Sequence, residues 1–156
     1  EAYDGKHIKT CITDFLNATS GKSEMKIMHE GKSLRFAASS GLLAYVGHDG
    51  LMEFELEDSF KSKDNVTRDA IILACISKDY FAPYLKQTKA NPLVWTTGLM
   101  APEAYTLKWA IDGWINKESN EQIRERAAKA YNKYQYITYQ EFFHIFGARV
   151  DNNSLV

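Results

Sequence analysis

The chain has 156 residues, 45% of them hydrophobic, 13% aromatic and 25% charged, with a formal charge of −1. These proportions fit one folded domain. The near-balance of 19 Lys and Arg against 20 Asp and Glu argues against a nucleic-acid or anionic-membrane partner. The longest purely apolar run, around Ile71–Cys75, is far too short to cross a bilayer. Two cysteines are too few for a disulfide framework or a four-thiolate metal site. A start at Glu1 rather than Met is what a processed or trimmed chain would show.

From the N-terminus, His7–Leu16 places Ile8, Cys11 or Ile12, Phe15 and Leu16 at helical spacing, with a stop at Ser20-Gly21. Met25–Met28 and Leu34–Phe36, flanking His29-Glu-Gly-Lys32, predict a small hairpin. Three apolar runs follow: Leu42–Val46, Ala70–Ala74 and Pro92–Trp95. None alternates polar with apolar, the pattern of strands covered on both faces in a parallel sheet. The charged, Ser-containing stretch 55–67 reads as a mobile surface loop.

Ser77–Gln87 predicts a helix, with Pro83 in its first turn or kinking it. Pro102 and Glu103 read as the first positions of the next helix, whose apolar face would carry Leu107, Ala110 or Ile111, Trp114 and Ile115. Ser119-Asn-Glu-Gln122 is a capping-box pattern for a last long helix. Its buried stripe would be Ile123, Ala127, Ala130 or Tyr131 and Tyr134, with Glu125 and Lys129 paired on the wet side. Phe142, Phe143 and Phe146 would continue or follow that helix. The expected fold class is α/β, a mostly parallel sheet flanked by helices, with a small β-hairpin and a C-terminal helical segment. Residues 1–150 form one domain and 151–156 a frayed tail.

Ligands of open parallel sheets bind beyond the carboxyl ends of the strands. The first run is followed by Gly47-His48-Asp49-Gly50, the second by Cys75 and the third by Thr96-Thr97-Gly98. If the first two strands are neighbours, an imidazole and a thiol emerge at one edge, the minimum for thiolate chemistry. Cys75 would precede a helix, whose positive end favours a thiolate. Its N–H and one from the Asp49-Gly50 turn could receive an oxyanion. Taken singly, Cys75 reads as an inert buried thiol and His48 as an ordinary hydrogen-bonded histidine. Their paired placement carries the chemical reading. Cys11, His7, His29 and His144 read as packing or surface residues, and a Cys11–Cys75 disulfide needs compatible geometry. Neither HExxH, Cys-x-x-Cys nor a Gly-rich phosphate loop is present, so neither a metal nor another cofactor is expected.

Ala44-Tyr-Val-Gly-His48 with Gly50, and Ile71-Ile-Leu-Ala-Cys75, resemble the caspase-like superfamily of cysteine peptidases. The resemblance implies a caspase-like three-layer sandwich that cleaves peptide bonds, with His48 as base or imidazolium partner and Cys75 as nucleophile. In those peptidases Gly follows the histidine directly, whereas here Asp49 intervenes. Tyr45–Met52, Trp95–Tyr105 and Ile123–Ala128 are similar to uncharacterised bacterial proteins. The leading expectation is therefore a cysteine peptidase-like hydrolase acting on a peptide or small acyl substrate, with Asp4 or Glu103 as an acid selecting basic side chains. Two alternatives stand beside it. One is a non-catalytic ligand- or peptide-binding module in which Thr96 and Thr97 supply hydrogen bonds. The other is a thiol-dependent acyl hydrolase or transferase on a non-peptide substrate.

Overall fold

A computed structural model describes residues 1–136 and 145–146. The first helix, α1 (Ile8–Thr19), buries Ile12, Phe15 and Leu16 on one face. It ends where the sequence places its stop. Gly21 adopts φ +81°, and the amides of Gly21 and Lys22 return to the carbonyls of Ala18 and Asn17. This left-handed closure satisfies the helix end and favours glycine.

Strands β1 (Glu24–His29) and β2 (Lys32–Ala37) form the expected antiparallel hairpin, with Met25 opposite Phe36 and Ile27 opposite Leu34. Glu30 and Gly31 both have positive φ, as a two-residue hairpin turn requires. The remaining strands, β3 (Leu42–Val46), β4 (Asp69–Leu73) and β5 (Asn91–Val94), make a parallel sheet in the order β3-β4-β5. Pro92 sits on the edge strand β5, beside the register shift at Ala70/Ile71.

Helices cover both faces of this sheet. On one side α1 and α2 (Ser77–Thr88) pack Ile12, Phe15, Leu16, Phe81 and Leu85 against Tyr45, Ala70 and Ile72. On the other, α3 (Ala104–Ile115) and α4 (Asn120–Gln135) pack Ala110, Ile123, Ala127 and Tyr131 against Ile71, Leu73 and Val94. The two-residue period of β4 thus feeds alternate side chains into two clusters, which explains its uninterrupted apolar sequence. The α/β class and the parallel sheet are as expected.

Several details differ. The stretch 55–67 is anchored rather than mobile. Leu56 and Phe60 are buried, and the amides of Leu56 and Phe60 donate to Tyr84 Oη and Gln87 Oε1 of α2. Pro83 lies inside a continuous α2, on its exposed side, where water can reach the Asp79 carbonyl that loses its donor. Helix α3 begins two residues after Pro102, with Glu103 in an extended N-cap conformation and no side-chain capping bond. Ile115, at the end of α3, is 63% exposed, and Tyr134 is 47% exposed, because the cluster ends before them. The capping box at Ser119 and the Glu125–Lys129 pair at 2.7 Å are present. Phe146 is buried, whereas Phe142, Phe143, His144 and the tail from Asp151 lie outside the described residues.

Candidate functional site

The register of β3 on β4 sets the geometry of the rim. Val46 faces Leu73, and the Gly47 amide still donates to the Leu73 carbonyl at 3.1 Å. His48 lies two residues beyond Val46, and Cys75 two beyond Leu73. Both therefore leave neighbouring parallel strands at the same carboxyl rim, with strand spacing near 4.8 Å.

The backbone at Cys75 turns sharply into α2. Ile76 occupies the left-handed region (φ 48°, ψ 29°), where a β-branched residue is strained. Such a conformation costs about 1–3 kcal/mol and persists only when its surroundings impose it. Here the Ile76 amide donates to the Gly98 carbonyl at 2.9 Å, and the Asp79 amide returns to the Ile76 carbonyl at 3.1 Å. The half-buried Cys75 sulfur lies 3.5 Å from both the carbonyl oxygen and the amide nitrogen of Met100. Cys11 and Cys75 are both free thiols, so the conceivable disulfide does not form. Burial, with Asp14 and Glu1 nearby, pushes the Cys11 thiol up from its ordinary value and makes it a poor nucleophile at neutral pH.

His48 stands on a fixed backbone. Tyr45 Oη donates to the His48 carbonyl at 2.6 Å, and the Tyr45 ring is held between Phe15 and Phe81. The exposed His48 ring presents Nε2 to Glu53 Oε1 at 2.8 Å. Among the described residues no hydrogen bond joins the His48 ring to the Cys75 sulfur.

Asp49 is fully buried. Its Oδ1 accepts the Leu51 amide at 3.1 Å and so caps the 3₁₀ turn Gly50–Met52, while among the described residues Oδ2 has no partner. A Cβ added at Gly50 would lie 2.9 Å from the Phe54 ring and 3.1 Å from Ile8, so only glycine lets this turn seat against α1. Burial raises the Asp49 carboxyl from 3.8 to about 6, outweighing the opposite pull of the Leu51 amide and His48. The folded chain thus holds a proton there that the unfolded chain releases. Stability from this group is fully present below about pH 4 and lost as pH rises through about 6. Between pH 4.5 and 7.5 the loss amounts to about 2 kcal/mol. Asp49→Asn keeps the capping oxygen and cannot ionise, so its stability should not show that fall. Urea midpoints of both proteins at the two pH values test this, and parallel losses would refute it.

The other residues read from the sequence occupy different positions. Thr96 is buried, and its hydroxyl is bonded to the Ala74 carbonyl and to the amide and hydroxyl of Ser77. The Thr96 amide donates to Ser77 Oγ at 2.9 Å, so this pair ties the end of β5 to the start of α2 instead of facing the rim. Exposed Thr97 donates its amide to the Ile145 carbonyl at 2.7 Å. Asp4 caps the 3₁₀ turn before α1 through the Lys6 amide. Glu103 stands at the start of α3. Glu53 is the rim residue that sequence reading missed: its contact spans five positions across a 3₁₀ turn, which matches no strand or helix period.

A cavity of about 570 Å³ opens away from this rim, at the amino end of β4, lined by Asp69, Leu93, Trp114 and Ile123 among others. Asp69 is already bonded there by Asn91 and Trp114 at 2.8 Å each. Among the described residues no group of three or more His, Cys, Asp or Glu side chains converges on a metal position. No described helix is long and apolar enough to cross a membrane. No family model, curated protein or solved structure matches the chain, and the caspase-like likeness rests on its strand-end motifs alone.

Proposed function

We propose that the chain is a cysteine peptidase-like hydrolase that acts by acyl transfer through Cys75 and His48 on a peptide or small acyl substrate. The observation that carries this reading is the equal two-residue offset of His48 and Cys75 beyond the paired ends of β3 and β4. The left-handed Ile76 beside Cys75 supports it, since strained backbone concentrates where function imposes it.

In this reading the thiol gives up its Met100 contact and passes its proton to the His48 imidazole. Sulfur attacks the acyl carbon, and the resulting oxyanion is received by the backbone N–H of Cys75 and one from the Asp49–Gly50 turn. Collapse transfers the proton from His48 to the leaving amine or alcohol and leaves a thioester. Water, deprotonated by His48, then releases the carboxylic acid and restores the thiol.

Iodoacetamide or an acyloxymethyl ketone should label Cys75 near neutral pH, and Cys75→Ala should abolish that labelling. Labelling confined to Cys11 would overturn the proposal. The Met100 contact of the sulfur favours a second reading, a non-catalytic ligand- or peptide-binding module on the same rim. That reading requires unhurried alkylation of Cys75, equal in wild type and His48→Ala.

A further inference from the structure

We infer that Glu53 is a positioning residue for His48, fixing the tautomer that leaves Nδ1 as the base for the Cys75 thiol. The inference rests on the dyad proposed above and deepens it. His48 Nε2 and Glu53 Oε1 are 2.8 Å apart. A carboxylate only accepts hydrogen bonds, so the neutral ring that makes this contact carries its proton on Nε2. The lone pair is then on Nδ1, the one ring nitrogen left to take a thiol proton.

Both side chains are exposed, and an exposed pair of this kind contributes little to stability. Its backbone, however, is built from buried parts. The His48 carbonyl is held by Tyr45 Oη, buried Asp49 caps the intervening turn, and buried Leu51 anchors it. The Glu53 amide closes the turn on the Gly50 carbonyl at 2.9 Å. A rigid pedestal therefore carries two solvent-facing groups to hydrogen-bonding distance. This arrangement does nothing for the core and determines which imidazole nitrogen is basic.

Two measurements on the full chain test the inference: long-range 1H–15N correlation of the neutral His48 imidazole, and the pH profile of Cys75 alkylation by iodoacetamide. Wild type should show the Nε2–H form. Glu53→Ala should shift the ring toward the other tautomer and slow alkylation near neutral pH by about tenfold, with rates converging where the thiol ionises unaided. Glu53→Gln, whose amide can donate as well as accept, should fall between them. An unchanged tautomer in Glu53→Ala overturns the inference, and so does a shifted tautomer with a superimposable alkylation profile. Failure of the dyad itself reads differently: His48→Ala would then alkylate as fast as wild type.

Discussion

Phe81→Ala is expected to lower unfolding stability by about 4 kcal/mol, the middle of the range for a fully buried aromatic ring. Phe81 has no exposed surface, and its ring lies 6.2 Å from Phe15 and 5.4 Å from Tyr45, centroid to centroid. Aromatic pairs in these orientations contribute about 0.5–1.5 kcal/mol beyond area burial, so the loss exceeds that of an aliphatic truncation. Phe81→Leu, which refills most of the space, should cost less than half as much. The effect also reaches the rim. Tyr45 would lose one of the two rings that hold it, and with it the fixed donor to the His48 carbonyl. Urea unfolding followed by tryptophan fluorescence measures the first effect, and a loss under about 1 kcal/mol for Phe81→Ala would show that this core is not packed as described.

Arg68→Ala should cost about 2–3 kcal/mol, because it strips the Ala38 and Val66 carbonyls of their donor. The Arg68 side chain is only 4% exposed, yet it makes bonds to three residues. Nε and Nη2 donate to the Ala38 carbonyl just after β2, Nη1 to the Val66 carbonyl, and Nη1 and Nη2 to the Asp64 carboxylate. One guanidinium therefore fastens the hairpin and the 55–67 stretch to the start of β4. The Arg68 guanidinium, with the Val66 amide, holds Asp64 down at about 2. Because this carboxyl is depressed in the fold, its contribution is present above about pH 4 and lost as pH falls toward 2. Arg68→Ala should therefore lose this part of the acid limb as well as the offset in stability. Identical acid-unfolding midpoints for the two proteins would contradict the assignment.

Much of this architecture is legible in the residues. Ala70–Ala74 has no polar alternation because β4 serves two clusters at once. The equally apolar Leu42–Val46 is an edge strand that buries Tyr45 and leaves Ala44 and Val46 exposed, so covering on both faces holds for β4 and not for β3. Ser119 and Gln122 announce α4 because capping is a local interaction. The 55–67 stretch misleads for the opposite reason. Its charges dominate the composition, while its placement is decided by Phe60, Leu56 and distant acceptors on α2. The position of Thr96 after an apolar run suggests a ligand-facing hydroxyl, yet the Ser77 hydroxyl that engages it lies 19 positions away. The placement of His48 and Cys75 beyond neighbouring strand ends was legible because strand ends in a parallel sheet align by register. Glu53 was not, since a short 3₁₀ turn leaves no periodic trace.

The left-handed Ile76 has a consequence for engineering the chain. Ile76→Gly would remove the β-branched penalty at that φ while enlarging the freedom of the unfolded polypeptide, so the two terms oppose each other. Whatever its net thermal tolerance, such a variant would widen the backbone choices of the bend between β4 and α2, which in the native chain is pinned by the Ile76 amide on the Gly98 carbonyl. Sturdiness and a single backbone path are separate properties at this bend, and a search for heat-resistant sequences would be free to trade one away.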